Sequence, residues 1–582
     1  MIRSALSVTK QTPLAAKGMV VAEHPLGAEV GARVLARGGN AVDAAVAMAF
    51  AMPVVEPFMS TLAGGGSFLI HMARRGETVA IDANVEAPAA CHETSYPLAD
   101  GVGQGLFPWH RVADDANIFG PRSVAVPGSV AGLCLALARY GTMELADVLA
   151  PAIALAEDGF VPDWYVALTT AVYCQELAVF SETARTYLRG GHYVYRPPAM
   201  ADAALNGEVL RQPELAQSLR LIAKDGPSAF YRGAIAQAIH DEMRRTGGFL
   251  TKDDLAGYAP RVLSPLRGSY RGLELAFTPG ATGGITALQI LNTLAQFPSA
   301  RVTGRSPGGL HLRAETVRRA FEDRLRYLGD ALRVSAPWDG LVSSAYAAAL
   351  ARGLKPMGPR SQAAPPDPWR FDGRAASPSA ASRSRAQLPR SRAVASGSDC
   401  TTHICAVDRQ RNMVSFTNTA VSLFGSRMVV PETGILLQNG MIWFDPEPGH
   451  PNSIAPGKRP LVNMAPVLAF RRGVPVFTLG APGGRKIVSV IPQVISNMVD
   501  GGDSPQAAME APRLHTEGGE LLVDDRVGER NLAALRKMKH PVAPKRVDLG
   551  TFQFARPIAI RIGKKGLEAG LDHLSDASAA GV

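Results

Sequence analysis

The stretch SGSDCTTHICAVD, residues Ser396 to Asp408, joins two different kinds of chain. Ahead of it, residues 355–400 lose hydrophobic periodicity and run through "AAPPDPWRFDGRAASPSAASRSRAQLPRSR", the composition of a flexible linker. Behind it, "THICAVD" and "MVSFTNTA" read as two strands flanking the turn "RQRN". Linkers usually end at polar surface positions. This one ends at a buried-looking strand whose first residues, Thr401 and Thr402, carry hydroxyls. A cut before Thr401 gives that residue a free α-amine beside its own oxygen. A peptide nitrogen is no base, but an α-amine with a reference pKa of ~7.7–8.0 is one. Nucleophile and base then sit on one residue. A strand threonine chosen for β propensity fits the same letters, and the residues alone leave both readings open.

Composition narrows the class. At 582 residues, one domain per ~150 residues predicts three or four domains, and 46% apolar residues with 58 Gly and 43 Pro supply a sizeable core. The longest apolar run, Ala44 to Val55, is too short to span a bilayer and contains Pro53. No apolar h-region precedes Lys10, so the N-terminus is a poor secretory signal and a cytoplasmic protein is expected. The five cysteines form no CxxC pair and are odd in number, which suggests neither a disulfide framework nor a zinc site. Cys400 and Cys405, with His403 between them, make only a sparse metal-ligand pattern. The net charge is +10, but residues 355–400 hold eight Lys/Arg against three Asp, so half the excess lies in the linker. A solvated basic linker explains that better than a nucleic-acid arm.

The rest of the chain divides around the linker. "HPLGAEVGARVLARGGNAVDAAVAMAF" reads as two helices, the first from Pro25 to Arg37 and the second capped by Asn40 with Asp43 in capping-box spacing. "AGGGSFLIHM" and "TVAIDA" form a hairpin across Arg75-Gly76. From Val126 to about Gly353 the pattern is mostly helical, with breaks expected at Pro151, Pro162 and Pro213. Strand signals dominate after the linker. "GAPGGRKIVSVIPQVISNMVDGG" then opens on Gly483 and Gly484 and continues with Ile487, Val490, Ile491, Val494, Ile495 and Met498 at amphipathic helical spacing. The glycine N–H groups at that helix start suit an oxyanion hole or anion site; a plain turn between strand and helix reads the same residues.

Taken in order, "HPLGAEVGARVLARGGNAVDAAVAMAFAMPVVEP", "GGGSFLI", "VPGSVAGLCLALARYGTMELADVLAPAIALAEDGF", "GGITALQILNTL", "FEDRLRYLGD", "TTHICAVDRQRNMVSFTNTAVSLFGS", "TGILLQNGM", "PGKRP" and "LGAPGGRKI" resemble the γ-glutamyltranspeptidase family of N-terminal-nucleophile hydrolases, over almost the whole chain except the linker. The resemblance implies an α+β fold, a four-layer αββα sandwich built jointly by two subunits cut from one precursor. It implies a large-subunit region 1–354, a linker tail 355–400, and a small subunit 401–582 beginning at the nucleophile. Cleavage falls between Cys400 and Thr401. Thr401 is then the nucleophile, Thr419 the threonine whose hydroxyl contacts it, and Gly483 and Gly484 the oxyanion-hole glycines. No metal or organic cofactor is implied, and His403 is structural because the α-amine supplies the base. The partners implied are a small-molecule amide and water or an amine acceptor, with no nucleic acid or membrane; a homodimer of processed heterodimers is an accompanying expectation.

Several positions depart from the family pattern. Asn84 stands where γ-glutamyl enzymes hold the substrate α-carboxylate with arginine. Val421 replaces a helping asparagine, Trp443 replaces the acidic residue that binds the α-ammonium, and Gly440 stands where a polar residue is common. Val462 and Asn463 replace paired serines, and the loop from Phe444 to Lys458 is short. All these changes remove groups that hold a zwitterionic head, unless Asp445 or Arg427 compensates. The expected activity is cleavage of γ-glutamyl-type, glutathione-like amides through an acyl-enzyme. The alternative is an acylase or small-amide hydrolase of glutaryl-, cephalosporin- or oxamate-type substrates with weak γ-glutamyl activity. A reading of another class, a non-cleaving binding protein, is opposed by Thr401, Thr419 and the glycine pair.

Overall fold

The computed structural model describes residues 8–102, 108–198, 206–373 and 400–582. Its core strands before Cys400 are Leu14–Ala15 (β1), Met19–Ala22 (β2), Gly65–Met72 (β3), Glu77–Ala83 (β4), Arg261–Leu263 (β5), Leu266–Tyr270 (β6) and Leu273–Phe277 (β7). After Thr401 come Thr402–Val407 (β8), Met413–Thr419 (β9), Val467–Arg471 (β10), Val474–Gly480 (β11), Ile558–Gly563 (β12), Gly566–Gly570 (β13) and Ser578–Gly581 (β14). They form two seven-stranded antiparallel sheets, ordered β14-β2-β8-β9-β3-β4-β5 and β1-β13-β12-β11-β10-β7-β6. Each sheet mixes strands from both sides of the Cys400–Thr401 bond, so the two halves cannot form separate cores.

Period-two alternation sets the layers. Cys405 and Val407 of β8 point between the sheets, with Leu69, Met413, Leu468 and Ile560. Ile404 and Ala406 point outward, against Pro25–Ala36 (α1) and Ala41–Val55 (α2). Ser129–Tyr140 (α3), Leu145–Asp158 (α4) and Trp164–Leu177 (α5) extend that outer layer. Gly283–Leu294 (α6), Pro307–Tyr327 (α7) and Lys486–Val499 (α8) cover the other sheet. The result is the αββα sandwich. Asn40 and Asp43 form the capping box that starts α2, all of whose residues are buried. Among the described residues, no helix is long and apolar enough to cross a membrane.

Three expectations need correction. Residues 261–277 are not helical; they supply β5, β6 and β7, short strands split by Pro265 that too few alternating residues betray. Pro151 does not break a helix but sits inside α4, where packing outweighs the lost hydrogen bond. The linker does not begin at 355. Arg360 N–H donates to Met538 O at 2.7 Å, and Arg318 and Arg319 hold the Ser361 side of this segment. A 3₁₀ turn at Pro368–Phe371 follows, with the buried Asp372 carboxylate accepting from Asp339 and Gly340 N–H. The packed chain thus runs to Gly373, and the remainder of the expected linker, residues 374–399, lies outside the described residues.

A polar stitch closes the sandwich at the Thr401 end. Ser415 Oγ donates to Leu479 O of β11 at 2.9 Å, so it accepts the proton of His403 Nε2 at 3.1 Å, leaving His403 Nδ1 to accept from Thr417 Oγ1 at 2.8 Å. Burial pushes the His403 pKa down to about 3, so the ring stays neutral. It lies flat on Gly480, where a Cβ would come within 2.0–2.5 Å of ring atoms. Gly480→Ala should therefore push the sheets apart locally and cost about 1–3 kcal/mol. Thermal unfolding of the purified protein should show a midpoint lower by several degrees; an unchanged midpoint would contradict this packing.

Candidate functional site: the Cys400–Thr401 junction

Thr401 is 4% exposed and precedes β8. Antiparallel register places Thr402 opposite Asn418, Asn418 opposite Gly66, and Gly66 opposite Ala83. The next row outward is Thr401, Thr419, Gly65 and Asn84, three candidate-site positions and a glycine abreast at the sheet's end. A Cβ on Gly65 would press to 3.1 Å on Val85 N, so glycine lets the chain after β4 lie close.

Within this row, Thr401 Oγ1 lies against the Cys400 carbonyl oxygen and 3.3 Å from Thr419 Oγ1. Thr419 Oγ1 accepts the Val421 N–H at 2.8 Å, which directs its own proton to Cys400 O, also at 2.8 Å. That arrangement polarises the carbonyl that Thr401 would attack. Val421 holds its N–H in place with φ at +84°, a conformation costing a β-branched residue about 1–2 kcal/mol. On the other side of the bond, Cys400 Sγ donates to Phe58 O and Met59 O, both at 2.9 Å. Burial raises the Cys400 thiol pKa far above its usual value, so it is a neutral anchor. Cys405 Sγ points the other way, between the sheets toward Ile558 O and Thr478. The cysteines and His403 therefore do not converge on a metal. Among the described residues, the group with metal-ligand spacing is Asp445, Glu447 and His450.

The glycine pair comes from the facing sheet. The His403–Gly480 contact brings the end of β11 to the Thr401 end of β8, and Gly483 and Gly484 follow three residues later. Their φ values, +127° and +54°, suit glycine, and a Cβ on Gly483 would come 2.4 Å from Ala555 Cα. Among the described residues, neither N–H meets a protein acceptor. Two free donors at the start of α8 can stabilise an oxyanion.

The candidate substrate residues gather on one side. Val421, Gly440, Trp443 and Val462 belong to a buried apolar region with Val85, Ile285 and Met464, and a Cβ on Gly440 would come 2.7 Å from Val85 Cγ2. Asn84 borders a cleft of about 240 Å³ whose walls include Ala281, Thr282, Arg459 and Pro460. Its Nδ2 donates to Asp82 Oδ1 at 2.7 Å and Ser67 Oγ at 3.1 Å; a carboxylate only accepts, so the amide must face this way. Asn84 Oδ1 is left buried without a partner. Asn463 is the converse: its Oδ1 accepts from Arg324 at 3.0 Å and its Nδ2 is unpaired.

The two suggested compensating charges are already engaged. Arg427 is held by Glu176 at 2.7 Å and by Ser422, and stacks on Tyr173. Asp445 accepts from His450 Nδ1 at 2.6 Å and from Glu447 N–H. Sequence reasoning missed Arg459, which is buried across Tyr258 and bound to Asp82 and Glu86 at 2.8 Å. It also missed Glu56, buried behind Cys400. The "VEP" and "KRP" letters name both residues but carry no sign of their partners.

Two substitutions test this geometry. Thr401→Ala should leave a single full-length chain, because alanine has no oxygen to attack Cys400. Thr419→Val keeps the volume but removes the donor to Cys400 O, and should slow self-cleavage by about 10²–10³-fold, read on denaturing gels over time. Cleavage of Thr419→Val at the parental rate would remove Thr419 from the site.

Known proteins resemble this chain over most of its length. Residues 27–582 match the Gamma-glutamyltranspeptidase family. The chain is 37% identical over 540 residues to the Acylase ACY 1 proenzyme of Pseudomonas sp. (strain SE83), covering 92% of this chain and 88% of the relative. It is 34% identical over 548 residues to the Glutathione hydrolase proenzyme of Bacillus subtilis (strain 168), covering 94% and 88%. The crystal structure of cephalosporin acylase from Bacillus halodurans superposes with a TM-score of 0.83 at 27% identity, covering 100% of this chain and 98% of that one. Helicobacter pylori gamma-glutamyltranspeptidase, matched over 61% of this chain and 96% of that one, gives 0.54 at 34% identity. By sequence, fold and the threonine junction alike, the chain belongs to the γ-glutamyltranspeptidase family of self-processing N-terminal-nucleophile hydrolases.

Proposed function

We propose that the matured protein is an amidohydrolase that prefers acyl groups lacking an α-amino group and turns over γ-glutamyl amides weakly. In this reading Thr401 Oγ1 attacks the substrate amide and its α-amine takes the proton and passes it to the leaving amine. The Gly483 and Gly484 N–H groups stabilise the tetrahedral oxyanion, at about 2.7–4 kcal/mol per donor. Water then releases the acyl group more readily than an acceptor amine does.

The observation that carries the substrate preference is the lining by Trp443, Val421 and Val462, which offers no anion for an α-ammonium. Arg427 and Asp445 are committed elsewhere, and burying an ammonium without a charged partner costs several kcal/mol. Asn84 spends its donor side on Asp82 and Ser67, where a carboxylate-binding arginine stands in γ-glutamyl enzymes; glutaryl and γ-glutamyl groups share that carboxylate, so the ammonium alone separates them. An apolar wall of this kind suits an acyl chain that carries no α-ammonium. The resemblance to an acylase proenzyme points the same way, whereas the resemblance to glutathione hydrolases supports the shared chemistry of the nucleophile.

Side-by-side kcat/KM values for glutaryl and γ-glutamyl p-nitroanilides test this reading. The glutaryl compound should win by at least tenfold, about 1.4 kcal/mol. A tenfold advantage for the γ-glutamyl compound would show that charged groups elsewhere hold the amino-acid head.

A further inference from the structure

A set of buried polar groups interacts around Glu56, near the start of the strand that follows Thr401, and has no role in the chemistry above. Glu23 follows β2, Glu56 caps the end of α2, Tyr165 lies in the first turn of α5, Thr402 opens β8, and Arg556 comes from the far end of the chain. Both Glu23 carboxylate oxygens, Glu56 Oε2, Thr402 Oγ1, Tyr165 OH and Arg556 Nη1 are buried without hydrogen-bond partners. Glu56 is 1% exposed and Thr402 0%. Unpaired buried groups of this kind are costly. Their concentration beside one peptide bond calls for a reason.

The reason follows from position. Glu56 O accepts Met59 N–H at 2.9 Å, and Met59 O accepts both the Cys400 thiol and Ala420 N–H, so the turn after α2 grips the chain on each side of the cleavage point. The Glu56 carboxyl lies beside the Thr402 hydroxyl, which makes no hydrogen bond within normal distance, and its charge reaches the Cys400 thiol. It therefore borders the residues on both sides of Thr401. In the intact chain the Thr401 nitrogen is an uncharged amide. After cleavage it is an amine.

We propose that Glu56 is the counter-ion of the Thr401 α-amine, a positioning residue whose partner comes into existence only when the chain is cut. This rests on Thr401 being the nucleophile. As the acyl shift occurs, the Oγ1–C bond forms, the C–N bond breaks, and the nitrogen takes the Oγ1 proton. One water hydrolyses the ester, leaving a carboxylic acid on Cys400 and restoring the Thr401 hydroxyl. Glu56 then exchanges a proton with the amine, which is an ammonium paired with the carboxylate below its pKa and the neutral base above it.

Electrostatics favour that pairing. Burial, with the Glu23 and Asp163 carboxyls adding to it, holds the Glu56 pKa well above the usual range, opposed by Arg556 and the Thr402 hydroxyl. Glu56 thus holds its proton more tightly than a free carboxyl does. A buried amine alone has its pKa depressed and becomes a weak base; a carboxylate beside it restores the pKa toward working pH, where a general base is most effective. Arg556 adds a structural link, since its backbone N–H donates to Pro482 O at 3.0 Å, directly before Gly483.

The test compares matured wild type with Glu56→Gln, reading kcat/KM for glutaryl p-nitroanilide against pH. Removing the carboxylate should move the acid limb to lower pH by about one unit, whatever the plateau height, and Glu56→Asp should return it toward wild type. An acid limb that stays in place in Glu56→Gln overturns the proposal. If Glu56→Gln fails to fold or mature, the same profile is taken on Thr402→Val, which removes the hydroxyl that steadies the Glu56 anion and should shift the limb the same way; an unmoved limb there overturns it equally. A wild-type small fragment that does not begin at Thr401 overturns the nucleophile assignment itself, and this proposal with it.

Discussion

The antiparallel pairing of Thr402–Val407 with Met413–Thr419 is the constraint on which the rest depends. Period-two alternation then sends the Thr401 and Thr419 hydroxyls together to the face between the sheets, and Cys400 and Thr402 to the helix side. A shift of one residue in that register would exchange the faces and separate the Thr401 hydroxyl from Thr419 and from the side of the facing sheet that carries Gly483 and Gly484. The register is secured on three sides. His403, Thr417 and Ser415 tie it to the facing sheet, α2 packs against it from outside, and the turn after α2 clamps Cys400.

This pairing would hold the two pieces together after a cut at Cys400–Thr401. Strands from both sides of Cys400–Thr401 alternate within each sheet: β8 and β9 lie between β2 and β3, while β10 lies between β7 and β11. Separating the halves would expose the whole core between the sheets, whereas cleavage removes only one peptide bond at its edge. The strain at Val421 and the unpaired carboxyls near Thr402 are affordable in so interlocked a body, because many other contacts determine the backbone there.

Much of this was legible in the sequence because it is local. The capping box at Asn40, the hairpin across Gly76 and the helix after Gly484 each follow from a few adjacent residues. The change of composition at Cys400–Thr401 drew attention to Thr401 but left a plain strand threonine open; its proposed role, like those of Thr419, Gly483 and Gly484, came from the ordered family motifs. What was not legible depends on distant partners. β5 to β7 are strands because two sheets need edges there, not because their letters alternate strongly. Residues 355–373 look like linker by composition, yet Glu315, Arg318 and Arg319 on α7 hold them down. Asn84 reads as a loss of charge, but only Asp82 and Ser67 reveal which end of its amide remains free. Glu56 reads as a helix end, and only the fold places it behind the nucleophile.

The account stands or falls on where the chain is cut. N-terminal sequencing of the smaller fragment from purified protein tests this directly, since the roles assigned to Thr401 and Thr419 lead to a cut at Cys400–Thr401 and that of Glu56 requires the amine the cut frees. The account predicts two chains, the smaller beginning Thr-Thr-His-Ile. A single persistent chain of 582 residues, or a small fragment starting at any other residue, would contradict it.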